Sequence, residues 1–374
     1  MRSIALKHLR ALAIAFTLLP MLGFDGAAQV NLDGAAQVNR FGEQALANAP
    51  DAAEPGRVRG NPPAACRDTT PHKTRFIRVE PGVSLEVLDW GGAQHAQTLV
   101  LLTGLGDNAH VYDQFAQQFT SSFHVIGITR RGFFPSSQPS KGYDVVTRAR
   151  DDIAVLDALR IGSATFVGHS LAGSELAKLG EVYGHRVDKL VFLDAADLAD
   201  RYAPSRAEPP GFGAFFTGDV LDSLWAYQAA SARYGALRKP DAAVCIDTVF
   251  GPKGELVDSR TPDWVSDKLL QGIKENPRVD WAHVAAPRLG IFAQFTVQAR
   301  QAWYWYLSAA QQAEFDRAWP PIVDWHKDTI DRFAYGNATP TLRLHGAPHY
   351  VYINNETEVV RAMREFLGLP VGGS

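Results

Sequence analysis

Residues 164–173 read Ala164-Thr165-Phe166-Val167-Gly168-His169-Ser170-Leu171-Ala172-Gly173. The apolar run 164–167 suits a strand, and residues 171–183 suit a helix. Ser170 therefore falls on a sharp strand-to-helix turn. Such a turn lifts the hydroxyl off the sheet and aims the first free amides of the helix at any oxyanion forming beside it. Gly168 takes the first small position of a Gly-x-Ser-x-Gly pattern. Ala172 stands in the second, where it is still small enough for close packing. The competing reading is a serine that merely caps a helix. It loses weight because an apolar strand precedes the turn and because the chain also holds the partners a nucleophilic serine needs.

Working outward, further strand candidates lie at 75–79, 84–90, 98–102, 124–128, 189–193, 288–292 and 341–344. The first two alternate in polarity and are separated by Gly82, the pattern of a hairpin. Most of the others are short, continuous apolar runs, which suit parallel strands buried on both faces. Helical patterns lie between them. Val146, Ile153, Leu156 and Leu159 share one face ahead of Ile161-Gly162, and Val359, Met363, Phe366 and Leu367 mark a last amphipathic helix. The alternation predicts an α/β protein with a mostly parallel eight-stranded sheet and helices on both faces. It breaks after Asp194. Residues 200–286 show no parallel-strand run and are rich in aromatics, prolines and glycines, Trp225, Tyr227, Tyr234 and Trp264 among them. They are read as a mainly helical cap with a core of its own. The sheet domain is then 74–199 with 287–374.

A serine hydroxyl is a weak nucleophile and needs a base. Of eleven histidines, His349 is the best placed, in the loop Leu344-His345-Gly346-Ala347-Pro348-His349-Tyr350 between the last strand and the last helix. His345 sits at the strand end. His169 is too near Ser170 along the chain to turn back onto its hydroxyl, and His110 is read as a helix-start or pocket residue. The base needs an acid to hold its tautomer. The loop after the seventh strand, Ile291-Phe292-Ala293-Gln294-Phe295-Thr296, has no carboxylate. The loop after the sixth reads Leu193-Asp194-Ala195-Ala196-Asp197, so Asp194 is the candidate acid and Asp197 the runner-up. An oxyanion hole needs a second amide besides that of Leu171. The glycines of Leu102-Thr103-Gly104-Leu105-Gly106-Asp107-Asn108 let the backbone turn amides inward, and Leu105 N–H is the expected donor. As a phosphate loop this stretch fails, because it lacks the Lys-Ser/Thr ending. The chain holds no His-Glu-x-x-His run and no paired-cysteine spacing, so no metal and no cofactor is expected.

On these features the chain resembles the α/β-hydrolase fold superfamily, in its lipase-, esterase- and haloperoxidase-like branch with a cap after the sixth strand. The resemblance covers roughly residues 74–370. It rests on Thr103-Gly104-Leu105-Gly106 in place of the usual His-Gly loop, Thr129-Arg130-Arg131-Gly132-Phe133 as the Arg-Gly turn, the Ser170 elbow, and His349 before the final helix. The chain departs from the pattern in three places. Thr103 replaces a common histidine, Phe134 replaces a common glycine, and the acid is missing from its commonest loop. Some members carry the acid after the sixth strand, where Asp194 falls. The resemblance implies a serine hydrolase that cleaves a small-molecule carboxylic ester through an acyl-enzyme. Two alternatives stand beside it: the same residues cleaving an amide, lactone or C–C bond, and a non-catalytic ligand-binding protein of this fold.

Composition bounds the rest. The 374 residues are 46% hydrophobic and 21% charged with a net charge of −3, ordinary for a globular protein and without the basic footprint of a nucleic-acid binder. Arg2, Lys7 and Arg10 precede an apolar run at 11–24, and Gly26-Ala27-Ala28 follows. That order predicts a secretory signal over 1–28, its apolar run too short and too broken by Pro20 and Gly23 for a membrane span. A secreted or periplasmic protein with no stable span after signal removal is the expectation. Asp-Gly-Ala-Ala-Gln-Val-Asn occurs at 25–31 and again at 33–39, too little for a solenoid, and residues 29–73 are read as a flexible extension. An oxidising compartment permits a disulfide between the two cysteines, Cys66 and Cys245.

Overall fold

The computed structural model describes Cys66 and residues 68–93, 96–195, 218–275, 279–296, 302–336 and 339–370. The signal region, the extension up to residue 65, and Asp197 with part of the cap lie outside the described residues.

Among the described residues the strands are β1 (Lys73–Glu80), β2 (Val83–Gly91), β3 (Thr98–Leu102), β4 (His124–Ile128), β5 (Ala164–His169), β6 (Val187–Leu193), β7 (Thr248–Phe250), β8 (Leu256–Ser259), β9 (Arg288–Gln294) and β10 (Thr341–His345). Eight of them form one sheet in the order β1-β2-β4-β3-β5-β6-β9-β10, and each matches a run expected from the sequence. β2 is antiparallel to both its neighbours, and every other pair is parallel. The β1–β2 connection turns on Gly82, whose φ of 79° an L side chain rarely adopts.

Side chains alternate across the sheet, so each central strand feeds two cores. Leu99 and Leu101 of β3 pack with Phe115, Val167 and Met363 on one face, while Val100 and Leu102 pack with Ile153, Phe166 and Leu176 on the other. Burying each such Leu, Phe or Val contributes about 1.5–3 kcal/mol, which is why these strands read as unbroken apolar runs. A short helix α1 (Asp113–Gln117) lies on the first face. Helices α2 (Val145–Leu159) and α3 (Ala172–Val182) cover the second. Asp144 caps α2 by accepting from the Thr147 N–H at 2.9 Å. Ile153 and Leu156 are buried as expected, but Val146 is 47% exposed and Val145 takes the inner position. The inner face of α2 also carries Arg148, Asp151 and Asp152, all buried. A stripe that is partly ionic misleads a phase read from apolar residues alone.

The segment read as a cap contains α4 (Leu224–Gly235), α5 (Asp241–Asp247), the β7–β8 hairpin and α6 (Asp263–Lys274). A second helical segment lies between β9 and β10: a turn at Ala302–Tyr306 and the helix α7 (Ala309–Gly336). Trp303, Tyr304 and Leu307 share a buried cluster with Leu224, Tyr227 and Phe250 of the cap region. The sequence gives no expectation of α7, whose interior holds Pro320 and Pro321, residues that normally break helices. The chain closes with α8 (Glu356–Leu367), whose Val359 and Met363 are buried as predicted. Cys66, ahead of β1, is disulfide-bonded to Cys245 of α5. No helix among the described residues is long and apolar enough to cross a membrane.

Candidate active site

β5 ends at His169 and α3 begins at Ala172, so Ser170 occupies the turn between them. Its φ of 54° is left-handed, which costs a non-glycine residue roughly 1–3 kcal/mol and persists only when its surroundings enforce it. They do so here. The Ser170 N–H donates to the Leu193 carbonyl at 3.1 Å, and the Ser170 carbonyl accepts from the Gly173 N–H at 2.9 Å. A Cβ at position 168 would lie 2.8 Å from the Ala172 Cβ and 2.9 Å from Leu176 Cδ1, so Gly168 lets strand and helix approach this closely.

His349 lies past β10, buried, with Nε2 2.8 Å from Ser170 Oγ and Nδ1 2.6 Å from Asp194 Oδ2. When Nδ1–H donates to that carboxylate, the lone pair of Nε2 faces the serine hydroxyl. Asp194 follows β6 directly and is itself left-handed, with φ 42°. Its N–H donates to the Ile291 carbonyl at 2.7 Å, and its Oδ1 accepts from the Ala293 N–H at 3.1 Å. The β9 segment that lacks a carboxylate of its own thus grips one supplied by the neighbouring strand. His345 is exposed at the end of β10. His110 lies in a separate buried group with Glu86 and Asp113.

Two further histidines support this arrangement. The His169 ring packs 4.5 Å from the His349 ring, and its Nε2 donates to the His349 carbonyl at 3.1 Å. Burial, reinforced by the nearby His349, holds its basicity well below the usual 6.5, so the ring is neutral. The sequence sets His169 aside as the base but does not show that it anchors the backbone of the candidate base, His349. His326 of α7 is fully buried, stacks on Phe295 at 4.2 Å, and places Nε2 3.9 Å from Asp194 Oδ1. Nothing in the linear sequence links it to Asp194.

The loop after β3 is held from beneath. Arg130 donates to the carbonyls of Thr103 at 2.8 Å and Gly104 at 3.3 Å, and pairs with Glu175 of α3 through two bonds of 2.6 Å. Because the Gly104–Leu105 peptide is planar and trans, drawing its carbonyl toward Arg130 turns the Leu105 N–H the opposite way. Among the described residues, neither the Leu105 nor the Leu171 N–H donates to a protein acceptor outside regular helix and strand bonding. Both residues are buried in a cluster with Phe133, Tyr143 and Val265, Leu269 and Ile273 of α6. That helix presents one residue in four, a single apolar face, against the two proposed oxyanion residues. From the cap side, Lys239 bonds to Asp107 at 2.5 Å, and the Tyr350 hydroxyl donates to the same carboxylate at 3.1 Å. Asp107 therefore ties the loop both to the cap region and to the residue after His349.

A mostly parallel sheet with an antiparallel second strand, a serine elbow after the fifth strand and a histidine before the last helix define an α/β-hydrolase-fold protein. The family model described as alpha/beta hydrolase fold matches residues 97–221, and the chain has the fold of that superfamily. It is 32% identical over 139 residues to the AB hydrolase superfamily protein YisY of Bacillus subtilis (strain 168), covering 37% of this chain and 48% of that protein. It is 32% identical over 121 residues to a non-heme chloroperoxidase of Streptomyces lividans, covering 32% of this chain and 44% of that one. The chain spans about half the length of the curated relatives it matches. Among solved structures, E-2-(acetamidomethylene)succinate hydrolase aligns with a TM-score of 0.56 at 18% identity, over 79% of this chain and 99% of that one. A bromoperoxidase from Bacillus anthracis aligns with a TM-score of 0.52 at 19% identity, over 79% and 100%. These likenesses establish the fold.

Proposed function

We propose that this chain is an exported serine hydrolase acting on carboxylic esters. The observation that carries the reading is the continuous line Asp194–His349–Ser170, with contacts of 2.6 and 2.8 Å between buried groups. Ser170 Oγ attacks the ester carbonyl and passes its proton to His349 Nε2. The carbonyl oxygen becomes an oxyanion beside the Leu105 and Leu171 amides, a type of contact worth about 2.7–4 kcal/mol per donor. As the tetrahedral intermediate collapses, His349 returns the proton to the departing alkoxide. Water then attacks the acyl-enzyme by the same route and releases the acid and Ser170. Asp194 keeps the imidazole in the required tautomer and stabilises its cation. The apolar face of α6 beside the two amides favours a moderately apolar acyl or alcohol group.

A fluorophosphonate probe and a short-chain aryl ester test this reading together. The probe should label Ser170, and Ser170→Ala should abolish labelling and lower kcat on the order of a million-fold while leaving thermal unfolding unchanged. Turnover by the alanine variant at the wild-type rate would remove the mechanism. Failure of the probe to label a folded wild-type chain would favour the non-catalytic binding protein. Export is tested separately, by N-terminal sequencing of the protein recovered outside the cytoplasm.

A further inference from the structure

The chain entering β1 meets the turn that follows the loop after β3. Asp68 Oδ2 lies 3.1 Å from His110 Nδ1 and 3.4 Å from His72 Nε2. The donor atoms of these three residues all fall within 4.8 Å of one another. His110 Nδ1 is also 3.2 Å from Asp113 Oδ2. A tetrahedral zinc ion with bonds of about 2.0–2.2 Å separates neighbouring donors by about 3.3–3.6 Å, close to the 3.1 and 3.4 Å that separate Asp68 Oδ2 from the two imidazoles.

Hydrogen bonding alone accounts poorly for the cluster. Asp68 Oδ2 is buried and makes no hydrogen bond, although two imidazole nitrogens lie beside it. His72 Nδ1 is likewise buried without a partner, on a side chain only 9% exposed. A buried polar atom in that state costs about 1–3 kcal/mol. Asp68, Glu86 and Asp113 together face only two imidazoles, an excess of acceptors that a cation would relieve.

The surroundings are those of a metal site. His110 Nε2 lies 3.6 Å from Glu86 Oε1, and Glu86 Oε2 accepts from the Thr129 hydroxyl at 2.6 Å. That is the carboxylate–histidine arrangement that orients a ligating imidazole and raises its basicity. The Trp90 indole N–H donates to Asp113 Oδ1 at 3.0 Å, and Asp113 Oδ2 lies 3.2 Å from His110 Nδ1, which orients that imidazole. We propose that Asp68, His72 and His110, with Asp113 beside them, form a structural site for a divalent cation of the zinc class.

Two imidazole nitrogens and one carboxylate oxygen suit zinc, and a water completes the tetrahedron. The bound ion clamps the segment after Cys66 onto the turn after the oxyanion loop. That turn is already held by Asn108, whose side chain accepts from the His110 N–H at 3.2 Å and donates to the Ala243 carbonyl at 2.8 Å. The metal thus braces a loop of the proposed active site without entering its chemistry.

The test uses the untagged full chain, stripped with a chelator and then titrated with zinc chloride. Calorimetry should find one zinc ion per chain, and the metal should raise the unfolding temperature. Asp68→Asn and His72→Gln, both at the rim of the cluster, should bind at least about tenfold more weakly. Cobalt(II) bound to the wild-type chain should give the intense visible bands of tetrahedral coordination, a reading that needs no variant. No stoichiometric uptake, equal uptake by wild type and variants, or an octahedral cobalt spectrum would overturn the proposal. Fluorophosphonate labelling of Ser170, measured on the same stripped samples, reports the hydrolase reading independently.

Discussion

At the residue scale, the proposed catalytic line rests on a division of labour that sequence shows only in part. Ser170 and His349 are legible because each occupies a distinctive place: a small-residue turn after an apolar run, and the loop before the last helix. Asp194 is legible as a candidate because β9 is followed by no carboxylate. Only the fold brings its Oδ2 to 2.6 Å from His349 Nδ1. Exchanging this carboxylate for an amide keeps the shape and stabilises the wrong tautomer, so Asp194→Asn should lower kcat by about 10⁴-fold. Asp197→Asn, measured beside it on the same aryl ester, should stay near wild type. The opposite ranking would transfer the acid's role. His169 and His326 escape a linear reading because their partners, the His349 carbonyl and Asp194, are far away along the chain.

At the scale of elements, α3 serves two ends. Its first turn adjoins Ser170, and its Glu175 receives Arg130 at 2.6 Å and Arg148 of α2 at 2.8 Å. Burial alone would raise the Glu175 carboxyl. The two guanidinium groups outweigh that and hold it below its ordinary 4.5. A carboxyl depressed in the folded state stabilises the protein fully above the unfolded value, and that stability is lost as the pH falls through the folded value. Glu175→Gln should therefore destabilise the chain by about 3–5 kcal/mol at neutral pH, because it strands buried positive charge. It should also flatten the acid side of the stability curve, as read by denaturant unfolding between pH 3 and pH 7. An unchanged acid limb would assign that limb to other groups. The strands were legible because double-sided burial leaves an unbroken apolar run. The inner face of α2 was not, because arginines and aspartates occupy positions that periodicity assigns to solvent.

At the scale of the molecule, the Cys66–Cys245 disulfide joins the chain ahead of β1 to the cap region across 179 residues. In the chain-entropy view a closed loop of that length stabilises the fold by roughly 5 kcal/mol. Reduction should lower the unfolding temperature of the wild type and leave that of Cys245→Ser unchanged. Two free thiols in the unreduced wild type would rule the bond out. The aromatic-rich region after β6 was legible as a break in the strand–helix rhythm. The second helical segment, 302–336, was not, because Pro320 and Pro321 mask a helix that tertiary packing of Trp303, Trp319 and Ile330 sustains.

The sequence by itself determined the eight strand runs of the main sheet, the serine turn and the candidate base, since all of these are written in runs a few residues long. Local periodicity and turn chemistry suffice for them. Only the tertiary structure decided what lies across the sheet from what. It chose Asp194 to meet His349, set Arg130 beneath the Gly104 carbonyl, and drew Asp68, His72 and His110 into one cluster. Contacts of that kind depend on loop closure and strand order, which no spacing along a single chain records.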